Sequence, residues 1–195
     1  MITTHDIKAL REKTGAGVLD CREALTASSG DLDKALEALR AKGAVVAEKR
    51  AHRDAVEGYI EAYGHAGRVG VLVELRCETD FVAENAGFRG LAHEIALQVA
   101  AQAPRWVSRE DVPGCIIDEM VAQEREAALA SGKSAEIAER IVAGKLERFY
   151  REMCLLEQPY IRDDKETIGG LIQDKVIAFN EKILVHRFQR FELAE

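Results

Sequence analysis

The chain first changes its hydrophobic period near residue 55, and that change restricts its fold more than any other feature. Up to about residue 43, apolar side chains recur at helical spacing, as in Leu32, Ala35, Leu36 and Leu39 at i, i+3, i+4 and i+7. From Val56 to Cys77 they alternate instead, with Val69, Val71, Val73, Leu75 and Cys77 on every second position. A helix buries residues at a period near 3.6 and a strand at a period of 2, so one element cannot satisfy both patterns. An α+β chain follows: a three-helix module, then a core of small antiparallel sheet packed with helices.

The first helix carries Ile7 and Leu10, with Thr4 or Asp6 as its cap, and Thr14-Gly15-Ala16-Gly17 stops it. The second spans about Val18 to Ala27, with Val18, Cys21 and Leu25 on one stripe. Asp31 or Asp33 opens the third, and Gly43 is expected to close it. Three helices in residues 1–43 form a very small core. Residues 44–55 read as a basic linker compatible with helix, carrying Lys49, Arg50 and Arg53 against Glu48. Residues 56–195 form the expected α+β core and dimerisation domain. Charge divides near the same place, with +2 over residues 1–53 and −9 over residues 54–195.

Val56-Gly58-Ile60-Ala62 and the run from Val69 to Cys77 flank Gly64-His65-Ala66-Gly67, which predicts a β-hairpin. A helix follows from about Asn85 to Ala103, ended by Pro104. Two more, at about 114–131 and 134–155, are joined closely enough to predict an antiparallel helical hairpin, which carries Ile141, Val142, Leu146, Phe149, Tyr150 and Met153 on its second helix. A helix from near Thr167 and a strand over about 183–192 complete the pattern.

The net charge of −7 argues against a nucleic-acid binder that works by neutralising phosphates. No apolar run reaches the length of a membrane span, and Met1-Ile2-Thr3-Thr4-His5-Asp6 lacks the pattern of a secretory signal, so a cytoplasmic chain is expected. Cys21, Cys77, Cys115 and Cys154 are scattered, without a C-x-x-C pair, and buried reduced thiols are expected. Gly132-Lys133-Ser134 shares the end of a P-loop, but Ala127 stands where its first glycine belongs and a helix, not a strand, precedes it. The Gly64, Gly67 and Gly70 spacing lies within a hairpin and is not a phosphate loop. His93-Glu94 lacks the second histidine of a zinc pair, since position 97 is Leu. No metal site, cofactor or catalytic constellation is expected.

Two features carry alternative readings. Arg50-Ala51-His52-Arg53 is either a solvated helix end or a weak RNA contact. Thr79-Asp80-Phe81 places a carboxylate beside a large aromatic between a strand and a helix. On one reading Phe81 anchors the core while Asp80 caps or turns the chain. On the other, Phe81 projects as a wedge for a partner's pocket with a carboxylate beside it.

Three segments together resemble bacterial elongation factor Ts. They are Thr14-Gly15-Ala16-Gly17-Val18-Leu19-Asp20-Cys21-Arg22-Glu23-Ala24-Leu25 with Gly30-Asp31 and Leu39 to Gly43; Cys77-Glu78-Thr79-Asp80-Phe81-Val82-Ala83; and Gly144-Lys145-Leu146, Phe149-Tyr150 and Leu155 to Pro159. The chain departs from the family pattern at Val18-Leu19, where Met-Met is common, and at Arg76, where Asn is common. The resemblance implies a guanine-nucleotide exchange factor that promotes GDP release from elongation factor Tu, GDP-bound or nucleotide-free, without catalytic chemistry of its own. It implies a ubiquitin-associated-like module docking through Leu10, Val18 and Leu19. It also implies that Thr79, Asp80, Phe81 and Val82 disturb the partner's Mg²⁺ and phosphate site. The single hairpin and single Thr-Asp-Phe segment resemble the short, single-core type, for which a homodimer is expected to complete the core. The alternative is a ubiquitin-associated-type interaction module with a dimerisation domain and no exchange activity.

Overall fold

The computed structural model describes residues 2–50 and 52–193, without the side chains of residues 44 and 46–49. Ala51 of the expected linker, and the side chains of Glu48 and Lys49, lie outside the described residues. The chain forms two compact units, one of residues 1–100 and 169–195 and the other of residues 101–168. The expected α+β class holds in the mixture of helices with a three-stranded and a two-stranded sheet.

In the first unit, α1 (Thr4–Thr14) is capped by Thr3 rather than by Thr4 or Asp6. Thr3 Oγ1 accepts from the Asp6 N–H at 3.2 Å, and the Asp6 carboxylate accepts from the Thr3 N–H at 2.8 Å. This reciprocal box satisfies two otherwise unpaired donors. Gly15 ends the helix at a φ of 69°, a left-handed conformation that a side chain resists. α2 (Val18–Ala27) follows, and Asp31 Oδ1 opens the third helix by accepting from the N–H groups of Asp33 and Lys34. Leu10, Cys21, Leu25, Ala35 and Leu39 form the core of these helices. Burying each leucine contributes about 1.5–3 kcal/mol.

α3 (Leu32–Arg50) does not stop at Gly43 but continues through it to Arg50. The glycine serves packing instead of termination. A Cβ at position 43 would lie 2.4 Å from Ile177 Cγ1, so only glycine lets α3 approach α8 (Ile168–Phe179) this closely. One turn earlier, Arg40 donates from Nε and Nη2 to the buried Asp174 carboxylate of α8 at 3.2 and 3.0 Å. The fork geometry suits a two-point pair of this kind.

The sheet has the order β1-β2-β5, all antiparallel, from β1 (Glu57–His65), β2 (Val69–Cys77) and β5 (Leu184–Glu192). Ala66 and Gly67 turn the hairpin with φ of 49° and 68°, the sign that matches the twist of the flanking strands. Val71, Val73, Leu75 and Cys77 are buried on one face of β2. Tyr59, Glu61 and Tyr63 stand opposite them on β1. α5 (Ala86–Gln102) covers this face with Phe88, Leu91, Ile95 and Val99. It is tied to the sheet by His93 Nδ1 against Glu61 Oε1 at 2.8 Å, and by Arg190 donating to the Ala100 carbonyl. The opposite face is open and partly apolar, with Ile60, Leu72 and Phe191 exposed.

In the second unit, α6 (Gly114–Ala130) and α7 (Ala135–Met153) form the expected helical hairpin. Arg125 Nε pairs with Glu139 at 2.6 Å across it, and Lys145 pairs with Glu124. Gly132, at a φ of 79°, makes the turn, and Ser134 caps α7, so Gly132-Lys133-Ser134 is a helix–helix connection. A short ribbon of β3 (Pro159–Tyr160) and β4 (Asp163–Thr167) lies beyond it.

Candidate functional site

Where β2 ends, the chain leaves the sheet as Glu78-Thr79 and makes one helical turn, α4 (Asp80–Ala83). Thr79, not Asp80, is the cap: its Oγ1 accepts from the Val82 N–H at 3.4 Å. Asp80 Oδ1 instead accepts from the adjacent Phe81 N–H at 2.7 Å. Val82 and Ala83 point into the core. Phe81 does not anchor that core; it is 79% exposed. A four-residue helix has no stability of its own, so its neighbours must hold it.

Those neighbours are two carboxylates. Glu181 Oε2 accepts from the N–H groups of Glu78 and Thr79, each at 3.1 Å, and Glu181 Oε1 accepts from Thr79 Oγ1 at 2.6 Å. Glu78 Oε1 in turn accepts from the Lys182 N–H at 2.7 Å and from Arg50 Nη1 at 2.8 Å. Arg53 Nη1 donates to Glu78 Oε2 at 2.8 Å. Burial works against the charge on Glu78, but the hydrogen bonds from Arg53, the Lys182 backbone and Arg50 together outweigh it and hold the pKa down at about 2. Arg50 and Arg53 are therefore not a solvated helix end. They bind the carboxylate that directly precedes the Thr79-Asp80-Phe81 segment.

Cys77 adds a third tie, its thiol donating to the Thr79 carbonyl at 3.2 Å. Burial, with the nearby Glu181 charge, pushes that thiol up to about 11. Cys21 and Cys154 are buried as well, whereas Cys115 is exposed, contrary to the expectation of four buried thiols. Arg76 lies on the outer face of the sheet, bound through Nε to Glu74 Oε1 at 2.7 Å, and Glu74 also accepts from Arg187.

The other expected contact residues divide. Val18 and Leu19, at the start of α2, are 52% and 62% exposed. Leu10 is fully buried in the helical core, unlike the exposed Val18 and Leu19. Among the described residues no group of three His, Cys, Asp or Glu side chains gathers to hold a metal ion. No described helix is long and apolar enough to cross a membrane.

Phe81 is thus an exposed aromatic on a clamped turn, and Val18 and Leu19 are an exposed apolar pair on a separate helix. The family model described as Elongation factor TS matches residues 8–195. The chain belongs to the elongation factor Ts family. Elongation factor Ts of Moorella thermoacetica is 52% identical over 200 residues, spanning 100% of this chain and 97% of that protein. Those of Carboxydothermus hydrogenoformans and Caldanaerobacter subterraneus subsp. tengcongensis are 49% and 48% identical, again over 100% of this chain and over 90% and 98% of their own lengths. The chain is thus a translation elongation factor of protein biosynthesis.

Sequence reasoning found the motif that carries the turn but missed the residues that hold it. Glu181 is 102 positions from Thr79, and no local pattern links the two. The signal available for Arg50 and Arg53 was their charge opposite an acidic core.

Proposed function

We propose that the chain is a guanine-nucleotide exchange factor for elongation factor Tu, engaging its GDP-bound and nucleotide-free forms. The observation that carries this reading is Phe81, a large aromatic 79% exposed at the tip of a turn whose base is fixed. Exposing Phe81 forfeits burial worth about 1.5–3 kcal/mol, which a partner's pocket would recover. Thr79 caps the turn and Val82 anchors it, while Asp80 and Phe81 reach the partner. Phe81 enters between partner helices, and Asp80 perturbs the hydrogen bonding around the bound Mg²⁺ and phosphates.

Mg²⁺ bridges phosphate oxygens to protein ligands, so disturbing it loosens GDP. Linkage makes the effect mutual: the factor weakens GDP by the same ratio as GDP weakens the factor. Exchange is accelerated with no bond made or broken in the factor, which acts without catalytic chemistry and without a cofactor of its own. Residues 1–43 serve as the docking module, through Val18 and Leu19 on its surface and Leu10 in its core. Residues 44–55 connect that module to the core of residues 56–195.

A homodimer is part of the same proposal. Ile60, Leu72 and Phe191 share the open face of the sheet, and a second copy would cover them. The setting is the cytoplasm, with no direct role for nucleic acid or membrane.

The decisive experiment follows release of a fluorescent GDP analogue from elongation factor Tu. Micromolar protein accelerates release on this reading; an unchanged rate refutes it and favours a ubiquitin-associated-type interaction module with no exchange activity. Phe81→Ala lowers the acceleration by roughly thirtyfold while leaving the fold intact, since about 2 kcal/mol of contact is removed.

A further inference from the structure

We propose that Glu181 is a positioning residue for the Asp80-Phe81 turn, acting through a reciprocal carboxylate clasp that also reaches the end of α3. The proposal rests on reading the turn as the segment that enters the partner.

The clasp forms where two strands exchange the sheet for loop. β2 pairs with β1 as far as Cys77 and with β5 as far as Arg76. The N–H groups of Glu78 and Thr79 therefore leave the ladder and need other acceptors. Glu181 supplies one oxygen to both, and its second oxygen takes the Thr79 hydroxyl. On the facing segment, the Lys182 N–H donates to Glu78 Oε1. Each segment thus presents a backbone donor to the carboxylate of the other.

This arrangement fixes direction as well as stability. Thr79 Oγ1 is held from one side by Glu181 and accepts the Val82 N–H on the other. Rotation of the cap would swing Phe81, which has little packing of its own to resist the motion. Arg50 and Arg53 extend the tie to the C-terminal end of α3, and Lys182 Nζ donates to the Arg53 carbonyl at 2.9 Å. The end of α3 and the base of the turn are in this way joined by charged, short-range contacts.

The test compares plateau rate with half-saturating concentration in the nucleotide-release assay. Glu181→Ala should lower the plateau by about tenfold or more, as hydrogen bonds to a charged group are lost, while the half-saturating concentration stays within about threefold. Glu181→Gln keeps an acceptor for the two N–H groups and should recover most of the plateau. In a Phe81→Ala background, Glu181→Ala should have a much smaller effect, because the change in turn position then reaches the partner through Asp80 alone. An unchanged plateau in Glu181→Ala, or an equal additional loss in the Phe81→Ala background, overturns the proposal. Should Glu181→Ala fail to fold, Thr79→Val carries the same cycle, since it deletes the hydroxyl that Glu181 holds and keeps both backbone donors; an additive loss again overturns it. Failure of the wild-type protein to accelerate release is a separate result, which removes the exchange reading and this proposal together.

Discussion

Replacing Glu78 by Gln tests the clasp through stability rather than exchange. The carboxylate is 13% exposed and pairs with Arg50, 16% exposed, and Arg53, 50% exposed. Its pKa falls from an ordinary value of 4.5 to about 2. If fully expressed, that drop corresponds to about 3 kcal/mol of folding stability. Exposure of Arg53 screens part of it, so a net effect of about 2 kcal/mol is expected. Gln retains an acceptor for the Lys182 N–H, while its amide nitrogen replaces the oxygen that accepts from Arg53, so the loss combines the charge with one hydrogen bond. The sign follows from linkage: a depressed carboxyl pKa stabilises the fold above the unfolded value of 4.5, and the contribution disappears as pH falls toward 2. Urea unfolding of wild type and Glu78→Gln, compared from pH 7 down to about pH 3, measures the difference directly. It should be close to full above pH 5 and fall to about half or less by pH 3. A difference below about 0.5 kcal/mol at pH 7, or one that does not shrink with acid, refutes the account of Glu78 as the charge centre of the clasp.

Gly43→Ala should destabilise the protein by about 1 kcal/mol or more, because overpacking against Ile177 exceeds the gain in helix propensity; stabilisation on thermal unfolding would refute the close α3–α8 approach. Leu10→Ala should cost about 2–5 kcal/mol in urea, while Val18→Ala and Leu19→Ala stay within about 0.5 kcal/mol of wild type and raise the half-saturating concentration in the release assay. A thiol reagent at pH 8 should modify Cys115 in the native protein and the other three cysteines only on unfolding; rapid modification of more than one thiol by mass spectrometry contradicts their burial. Ile60→Asp together with Phe191→Asp should shift the mass seen by light scattering from dimer to monomer, and an unchanged dimer removes the sheet face from the interface.

Elements that bury an amphipathic face were legible from sequence because period alone identifies them. The β1–β2 hairpin, α2, the α6–α7 hairpin, α8 and β5 all fall close to their expected spans. Gly43 was misread because a glycine after Leu39-Arg40-Ala41-Lys42 has the local chemistry of a helix stop; its partner Ile177 lies far along the chain. The β3–β4 ribbon carries Asp163, Asp164, Lys165 and Glu166, with no apolar alternation to mark it. Phe81 was undecidable because a strand-to-helix junction admits either direction, and exposure depends on which of four consecutive residues faces the core. Thr3 was within reach, since Asp6 stands three positions later, but Thr4 and Asp6 also match the cap preference.

The placement of β2 at the centre of the sheet has a consequence for how the protein is made. Its outer neighbour β5 arrives much later in the sequence, with Glu74 and Arg187 separated by 113 residues. Asp174 and Ile177, which receive Arg40 and Gly43, arrive late as well. During synthesis, then, the early helices and hairpin wait for partners that have not left the ribosome, and one edge of the most apolar strand stays unpaired. Such non-local pairing slows folding and leaves the nascent chain open to aggregation. A factor that serves translation elongation would thus depend on the completion of its own elongation before its first unit can close.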